Sequence, residues 1–200
     1  MSESQVADKP GLRERKKAKT KAAIQEHALR LFHEQGYENT TIEQIAEAAE
    51  VSPSTFFRYF ATKEDVVIYD TLDPVLIAVW RAQPPELGPI QAMRQAMKQV
   101  FASLDRRSIE EMTERGRLVY SVPELREAMV NDMLRTTNVM AEEVALRSGR
   151  SPDDFEVRVF TGAIMGALMA AMLPALQEEH PDYLRSIDPA FEFLEKGMPL

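Results

Sequence analysis

The sequence predicts an all-α protein, and three observations carry that prediction. Apolar residues recur at three- and four-residue spacing almost throughout, with no sustained two-residue alternation. Hydroxyl residues precede an acid or amide by three positions at Thr41/Gln44, Thr62/Asp65, Ser108/Glu111, Ser121/Glu124 and Ser151/Asp154, and each such pair satisfies the first amides of a helix. The 200 residues are 44% hydrophobic and 28% charged, enough to bury a core without covalent staples. The chain has no cysteine, which excludes disulfides, thiolate metal sites and cysteine nucleophiles.

Taken in order, the expected helices span 12–35, 42–49, 53–60, 63–82, 89–106, 109–120, 123–148, 152–178 and 189–196. The first buries Ile24, Ala28, Leu31 and Phe32 on one face and ends at Gln35-Gly36, where glycine supplies the cap. Ile42, Ile45, Ala46 and Ala49 form the apolar stripe of the second. Ser52-Pro53 opens the third and Ser151-Pro152 the eighth, because proline at the first helical position forfeits no hydrogen bond. Asp73-Pro74 is expected to break or kink the fourth. Gln83-Pro-Pro-Glu-Leu-Gly-Pro89 reads as a loop.

Two short helices joined by Glu50-Val51-Ser52 make a helix-turn-helix, whose second helix can enter a major groove. On a helical wheel Pro53, Phe56 and Phe60 face the core, while Ser54, Thr55 and Arg58 point away, flanked by Phe57 and Tyr59. That outer face suits DNA. Arginine can fork onto guanine, hydroxyls can bond phosphates or base edges, and aromatic rings can pack on thymine methyls or sugars.

The run from Arg15 to Val67 resembles the DNA-binding domain of the tetracycline-repressor (TetR) family. The blocks that carry it are Ala28-Leu-Arg-Leu-Phe32, Gly36-Tyr-Glu-Asn-Thr-Thr-Ile-Glu-Gln-Ile-Ala46 and Val51-Ser-Pro-Ser-Thr-Phe-Phe-Arg-Tyr-Phe-Ala-Thr-Lys-Glu64. The resemblance implies a homodimeric regulator, a repressor, that binds a palindromic operator in double-stranded DNA and responds to a small apolar ligand. It implies a flexible tail over 1–12, a DNA-binding domain over 13–62 and a ligand-binding and dimerisation domain over 63–200. It places Thr41 at the cap of the second helix against a phosphate and Lys63 on another phosphate. It makes Ser54, Thr55, Phe57, Arg58 and Tyr59 the recognition surface. Glu50 stands where the family usually has glycine, so the turn is expected to be strained or reshaped. Phe57 stands where the family often has tyrosine, which loses a phosphate bond and leaves an apolar contact.

Charge supports a polyanion-facing N-terminus on an acidic body. Residues 9–21 hold seven basic residues, Lys17 among them, against Glu14 alone, whereas residues 66–200 hold 14 basic and 21 acidic. In that acidic part the candidate ligand-lining residues are Trp80, Met97, Phe101, Tyr120, Met133 and Phe160, drawn from a wider set of methionines and aromatics. By resemblance, Lys63-Glu-Asp-Val-Val67, Leu72-Asp-Pro74 and Ser121-Val-Pro-Glu-Leu-Arg126 are similar to a subgroup associated with long-chain acyl-coenzyme A. Arg81, Arg94, Lys98 and Arg115 are the candidate charges at the mouth of such a tunnel.

Val159 to Leu176 carries no charge and would span about 27 Å as a helix. Its glycines, alanines and flanking acids favour a fully buried helix over a membrane span. Val159, Gly162, Gly166, Ala170 and Leu173 are the expected dimer contacts, within a bundle that also takes in 189–196. The polar, basic start excludes a secretory signal, and the expected compartment is the cytoplasm. No cofactor or metal is expected: only His27, His33 and His180 are available, and no phosphate-binding glycine loop or nucleophile elbow occurs. The rival reading is a helical carrier or enzyme for acyl thioesters that keeps the helix-turn-helix as scaffold.

Overall fold

The computed structural model describes residues 11–200, and every regular element among them is a helix. The expected tail over 1–12 therefore lies, except for its last two residues, outside the described residues. The chain divides into two compact units, the first ending at Val67 and the second spanning Ile68–Leu200. The first unit thus extends five residues past the boundary expected at 62.

Four helices belong to the first unit: α1 (Leu12–Gln35), α2 (Ile42–Ala48), α3 (Pro53–Tyr59) and α4 (Lys63–Ile68), which carries the chain across the boundary. Ile24, Ala28, Phe32, Tyr37, Ile45, Ala46, Phe56, Phe60, Val66 and Val67 are buried together, so each helix contributes one apolar face. The two caps expected in this unit form. Thr41 Oγ1 accepts from Gln44 N at 3.2 Å while Gln44 Oε1 accepts from Thr41 N at 2.9 Å. Thr62 and Asp65 make the same reciprocal pair at 3.1 Å in each direction.

The second unit holds α5 (Leu72–Arg81), α6 (Pro89–Ser103), α7 (Arg106–Ser121), α8 (Pro123–Ser148), α9 (Phe155–Ala175) and α10 (Tyr183–Glu195). Its core joins Trp80 of α5, Met93 and Met97 of α6, Val144 of α8, Ile164 of α9 and Ile187 of α10. Gly116 lets α7 approach Leu176 closely; a Cβ there would sit 2.6 Å from Cδ2 of that leucine.

Several helix boundaries differ from expectation, each for a visible reason. The expected helix 63–82 is two, α4 and α5, and the break falls at 69–71, before Asp73-Pro74. Asp70 Oδ1 accepts from Leu72 N at 2.8 Å and makes the turn, which leaves Pro74 in the first turn of α5, where it costs no helical bond. Helix α7 starts three residues early because Asp105, not Ser108, is the cap and accepts from Ser108 N at 2.8 Å. Ser121 closes α7 and does not open α8. Ser151 and Asp154 shape a turn ahead of α9, so that helix begins at Phe155 and not at 152. Helix α10 starts at Tyr183, capped by Asp182, and runs through Pro189, which had been expected to open it.

The largest difference concerns α9. The segment expected to be fully buried is covered on one side only: Val157, Thr161, Ile164, Leu168 and Ala175 are buried, but Phe155 and Val159 are 69% and 52% exposed. By length and composition this helix could cross a membrane, yet its buried side packs on α8 and α10. Its other side is apolar and uncovered in a single chain.

Candidate nucleic-acid interface

Helix α3 is short because its ends are fixed by its own sequence. Ser52 caps it, accepting from Thr55 N at 3.1 Å, and Pro53 occupies its first position. Phe56 and Phe60 anchor it, 0% and 3% exposed, with ring centroids 6.0 Å apart. Pro53, expected on that inner face, is exposed, because the first turn projects beyond the core. Before α3 the chain turns through Glu50 at φ 54, a left-handed conformation that costs a residue with a Cβ about 1–2 kcal/mol. The turn bears that strain.

The outward side of α3 presents Ser54, Phe57 and Arg58, all exposed, with Thr55 and Tyr59 half-buried. The hydroxyls are joined to one another: Ser52 Oγ lies 2.9 Å from Ser54 Oγ and 3.0 Å from Thr55 Oγ1. The Arg58 guanidinium lies 5.4 Å from the centre of the Tyr59 ring, and Arg58 makes no ion pair among the described residues. Phe57 is 54% exposed and meets the buried Phe56 edge-on, 5.6 Å and 86°. Thr41 is exposed at the start of α2. Lys17 lies in the exposed N-terminal half of α1 with Arg13, Arg15, Lys16 and Lys19, while Lys21 sits 5.0 Å above the Phe60 ring.

Lys63, expected on a phosphate, is half-buried at the start of α4. Its ammonium donates to the carbonyls of Tyr37 at 2.8 Å and Thr40 at 3.1 Å and lies 4.0 Å from the Tyr37 ring centre. The Tyr37 hydroxyl in turn donates to Glu64. Burial works to raise the Glu64 pKa, but the bonds from Tyr37 and Thr62 and the Lys63 charge outweigh it and hold it below the usual value. Lys63 thus ties the α1–α2 turn to α4, a tie that a local sequence pattern does not reveal.

In the second unit, Trp80, Met97 and Phe101 are core residues, 2%, 7% and 9% exposed. Tyr120, Met133 and Phe160 are half-buried, and burial raises the Tyr120 pKa. A cleft of about 610 Å³ lies elsewhere, lined by Leu104, Ile109, Thr113, Arg117, His180 and Pro181 among others, and none of the six expected residues borders it. The four candidate mouth charges are all paired. Arg81 Nε donates to Glu143 at 2.9 Å, Arg94 to Asp188 at 2.5 and 3.0 Å, Lys98 to Asp188 at 2.7 Å, and Arg115 to Asp70 at 2.8 Å. Arg94 and Lys98 pull the Asp188 pKa down to about 2.

On α9, Val159, Gly162, Gly166 and Ala170 are exposed and Leu173 is half-buried, at spacings that place them on one side of the helix. Phe155, exposed and outside the uncharged run that marks the segment in the sequence, extends the stripe by one turn. A Cβ at either glycine would meet nothing within 4 Å.

Comparison with known proteins places these features. Residues 24–69 match the model of bacterial regulatory proteins of the tetR family, and residues 87–199 match that of the MftR C-terminal domain. The HTH-type transcriptional regulator TcmR of Streptomyces glaucescens is 37% identical over 152 residues, covering 72% of this chain and 67% of that protein. Among solved structures, the SmeT–triclosan complex superposes with a TM-score of 0.61 at 18% identity, over 90% of this chain and 91% of that one. Thermus thermophilus FadR, a TetR-family repressor in complex with lauroyl-CoA, does so at 0.56 and 20%, over 90% and 95%. At these identities the structures establish the common fold.

Proposed function

Because the chain belongs to the TetR family of bacterial transcriptional regulators, we propose that it is a dimeric repressor that binds a palindromic operator through α3 and is released by a small apolar ligand. DNA binding falls to the first unit, and ligand sensing and dimerisation to the second. The carrier or enzyme alternative is set aside, since the relative TcmR is named a regulator. The protein then works beside the DNA, in the cytoplasm.

The observation that carries this reading is the surface of α3, where Arg58 is exposed and without an ion pair among the described residues. An arginine so placed can fork onto guanine O6 and N7. Selection of a defined palindrome from random DNA is the direct test. With that operator, Arg58→Ala should weaken binding by about 1–3 kcal/mol per subunit and relax base preference there. Equal affinity of variant and parent for operator and random DNA would remove α3 from the interface.

The dimer reading rests on the stripe of α9, which one chain leaves uncovered and which a second α9 would cover across a two-fold axis. For the ligand, lauroyl-CoA is the first probe, because FadR was solved with it. With Arg81, Arg94, Lys98 and Arg115 all paired, the acyl chain is the part of such a ligand that this unit favours. Lauroyl-CoA should release the protein from operator DNA and coenzyme A alone should not; release by both would overturn the apolar reading.

A further inference from the structure

We infer that Phe57 reads the 5-methyl group of a thymine in each operator half-site, so that one base is recognised by an apolar contact alone. This rests on the operator-binding reading above. Three features of α3 lead to it. The hydroxyls of Ser52, Ser54 and Thr55 are already bonded among themselves. Tyr59 is half-buried beside the Arg58 guanidinium. Phe57 and Arg58 are exposed, make no such bond among the described residues, and differ in kind.

A phenyl ring neither donates nor accepts a conventional hydrogen bond, so Phe57 cannot bond a phosphate. Set against guanine N7 and O6, adenine N6 or cytosine N4, it would strip water from a polar edge and return nothing. The major groove offers one apolar patch, the thymine methyl. The ring is also held ready. It meets Phe56 edge-on at 5.6 Å and 86°, and Phe56 is 0% exposed, so a fixed core residue orients it. At 54% exposure it still has most of a face to cover.

The test begins with the selected operator, each thymine replaced singly by deoxyuridine, which removes only the methyl group. Fluorescence anisotropy with the parent chain should find one thymine per half-site whose replacement weakens binding about fourfold, the worth of one buried methyl. Replacement in both half-sites should cost about sixteenfold. Phe57→Ala should bind the intact operator with a matching loss and be indifferent to deoxyuridine at that position, with an unchanged salt slope, because no phosphate contact is lost. Phe57→Leu should keep the sensitivity, since it keeps an apolar contact. Circular dichroism melting of both variants establishes that they fold. A parent chain indifferent to deoxyuridine at every thymine overturns the inference while leaving operator binding intact, as does a Phe57→Ala variant as sensitive as the parent. Failure to select any operator overturns the operator reading itself.

Discussion

The two units are held in shape by polar bonds of different reach. In the first, helix ends are set by partners three residues apart, Thr41 with Gln44, Ser52 with Thr55 and Thr62 with Asp65, and the longer ties, Lys63 to Tyr37 and Gln25 to Val66, reach 26 and 41 positions. In the second, helices are tied across long stretches of chain, Arg81 to Glu143, Arg94 to Asp188, Arg115 to Asp70 and Thr113 to Tyr183. Local caps and ties of modest reach make a small unit whose helix ends are written locally, suited to presenting a fixed surface. Long-range bonds make a unit whose helices depend on one another, so a disturbance at one is felt at the next.

The strongest way to break this contrast is to attack the uncovered side of α9, where the second unit is expected to depend on a second chain. Gly166→Arg would place an unpaired charge in that contact, at a cost on the order of 3–5 kcal/mol. Sedimentation should show the micromolar protein shifting toward monomer, with operator affinity falling because two recognition helices must span two half-sites. A folded dimer with parental DNA affinity would show that Gly166 lies outside the interface.

A smaller effect sharpens it. Arg115→Met strands Asp70 and the carbonyl of Tyr69, which the guanidinium holds at 2.8 and 2.6 Å. Because the pair keeps some solvent, the loss should be about 2 kcal/mol, below that of a fully buried pair. Thr41→Ala, removing a local cap, should cost about 1 kcal/mol. Urea unfolding of each variant measures both; a larger loss at Thr41 would reverse the contrast between units.

The smallest effect depends on pH. Burial, then the charges of Asp70 and Asp132, push the Asp73 carboxyl up to about 6 against the pull of Arg115 and Arg135. The folded chain then holds that proton more tightly than the unfolded one. Stability should fall as pH rises from about 4 to about 6 and stay lower above. Since the group is only partly buried, the charge should cost about 1 kcal/mol. Asp73→Asn should recover that amount at pH 8 and change nothing at pH 4, in urea midpoints compared at the two pH values.

The same contrast explains what could be read in the sequence. Helix α1 was expected over 12–35 and is Leu12–Gln35; α8 was expected over 123–148 and is Pro123–Ser148. The departure at Glu50 was visible from the missing glycine and appears as φ 54. In each case the deciding residues lie in the element or directly beside it. Helix α10 shows the opposite. Pro189 reads locally as a helix start, but the helix begins at Tyr183, whose buried hydroxyl lies 2.9 Å from Thr113 Oγ1, seventy positions away. Lys63 reads locally as a free cation at a helix start, and only the folded chain brings it to the carbonyls of Tyr37 and Thr40. The expected recognition residues cluster on α3 because one short helix carries them. Trp80, Met97 and Phe101 could not be told from core residues, since a methionine or aromatic at helical spacing serves either purpose.

The stripe on α9 has a consequence for how related copies of such a gene diverge. A helix that pairs with its own copy across a two-fold axis presents each substitution twice, once from either chain. In the proposed dimer, a single codon change anywhere between Val159 and Leu173 therefore alters both sides of the contact together. After duplication, few changes suffice to make two sister proteins stop mixing, because each still fits itself while the mixed pair carries the mismatch. In that proposed contact Gly162 and Gly166 are expected to be the most sensitive positions, since a side chain at either would enter space that is open in one chain. Selection for separate regulatory circuits can thus act on this one helix and leave α3, and the DNA it reads, unchanged.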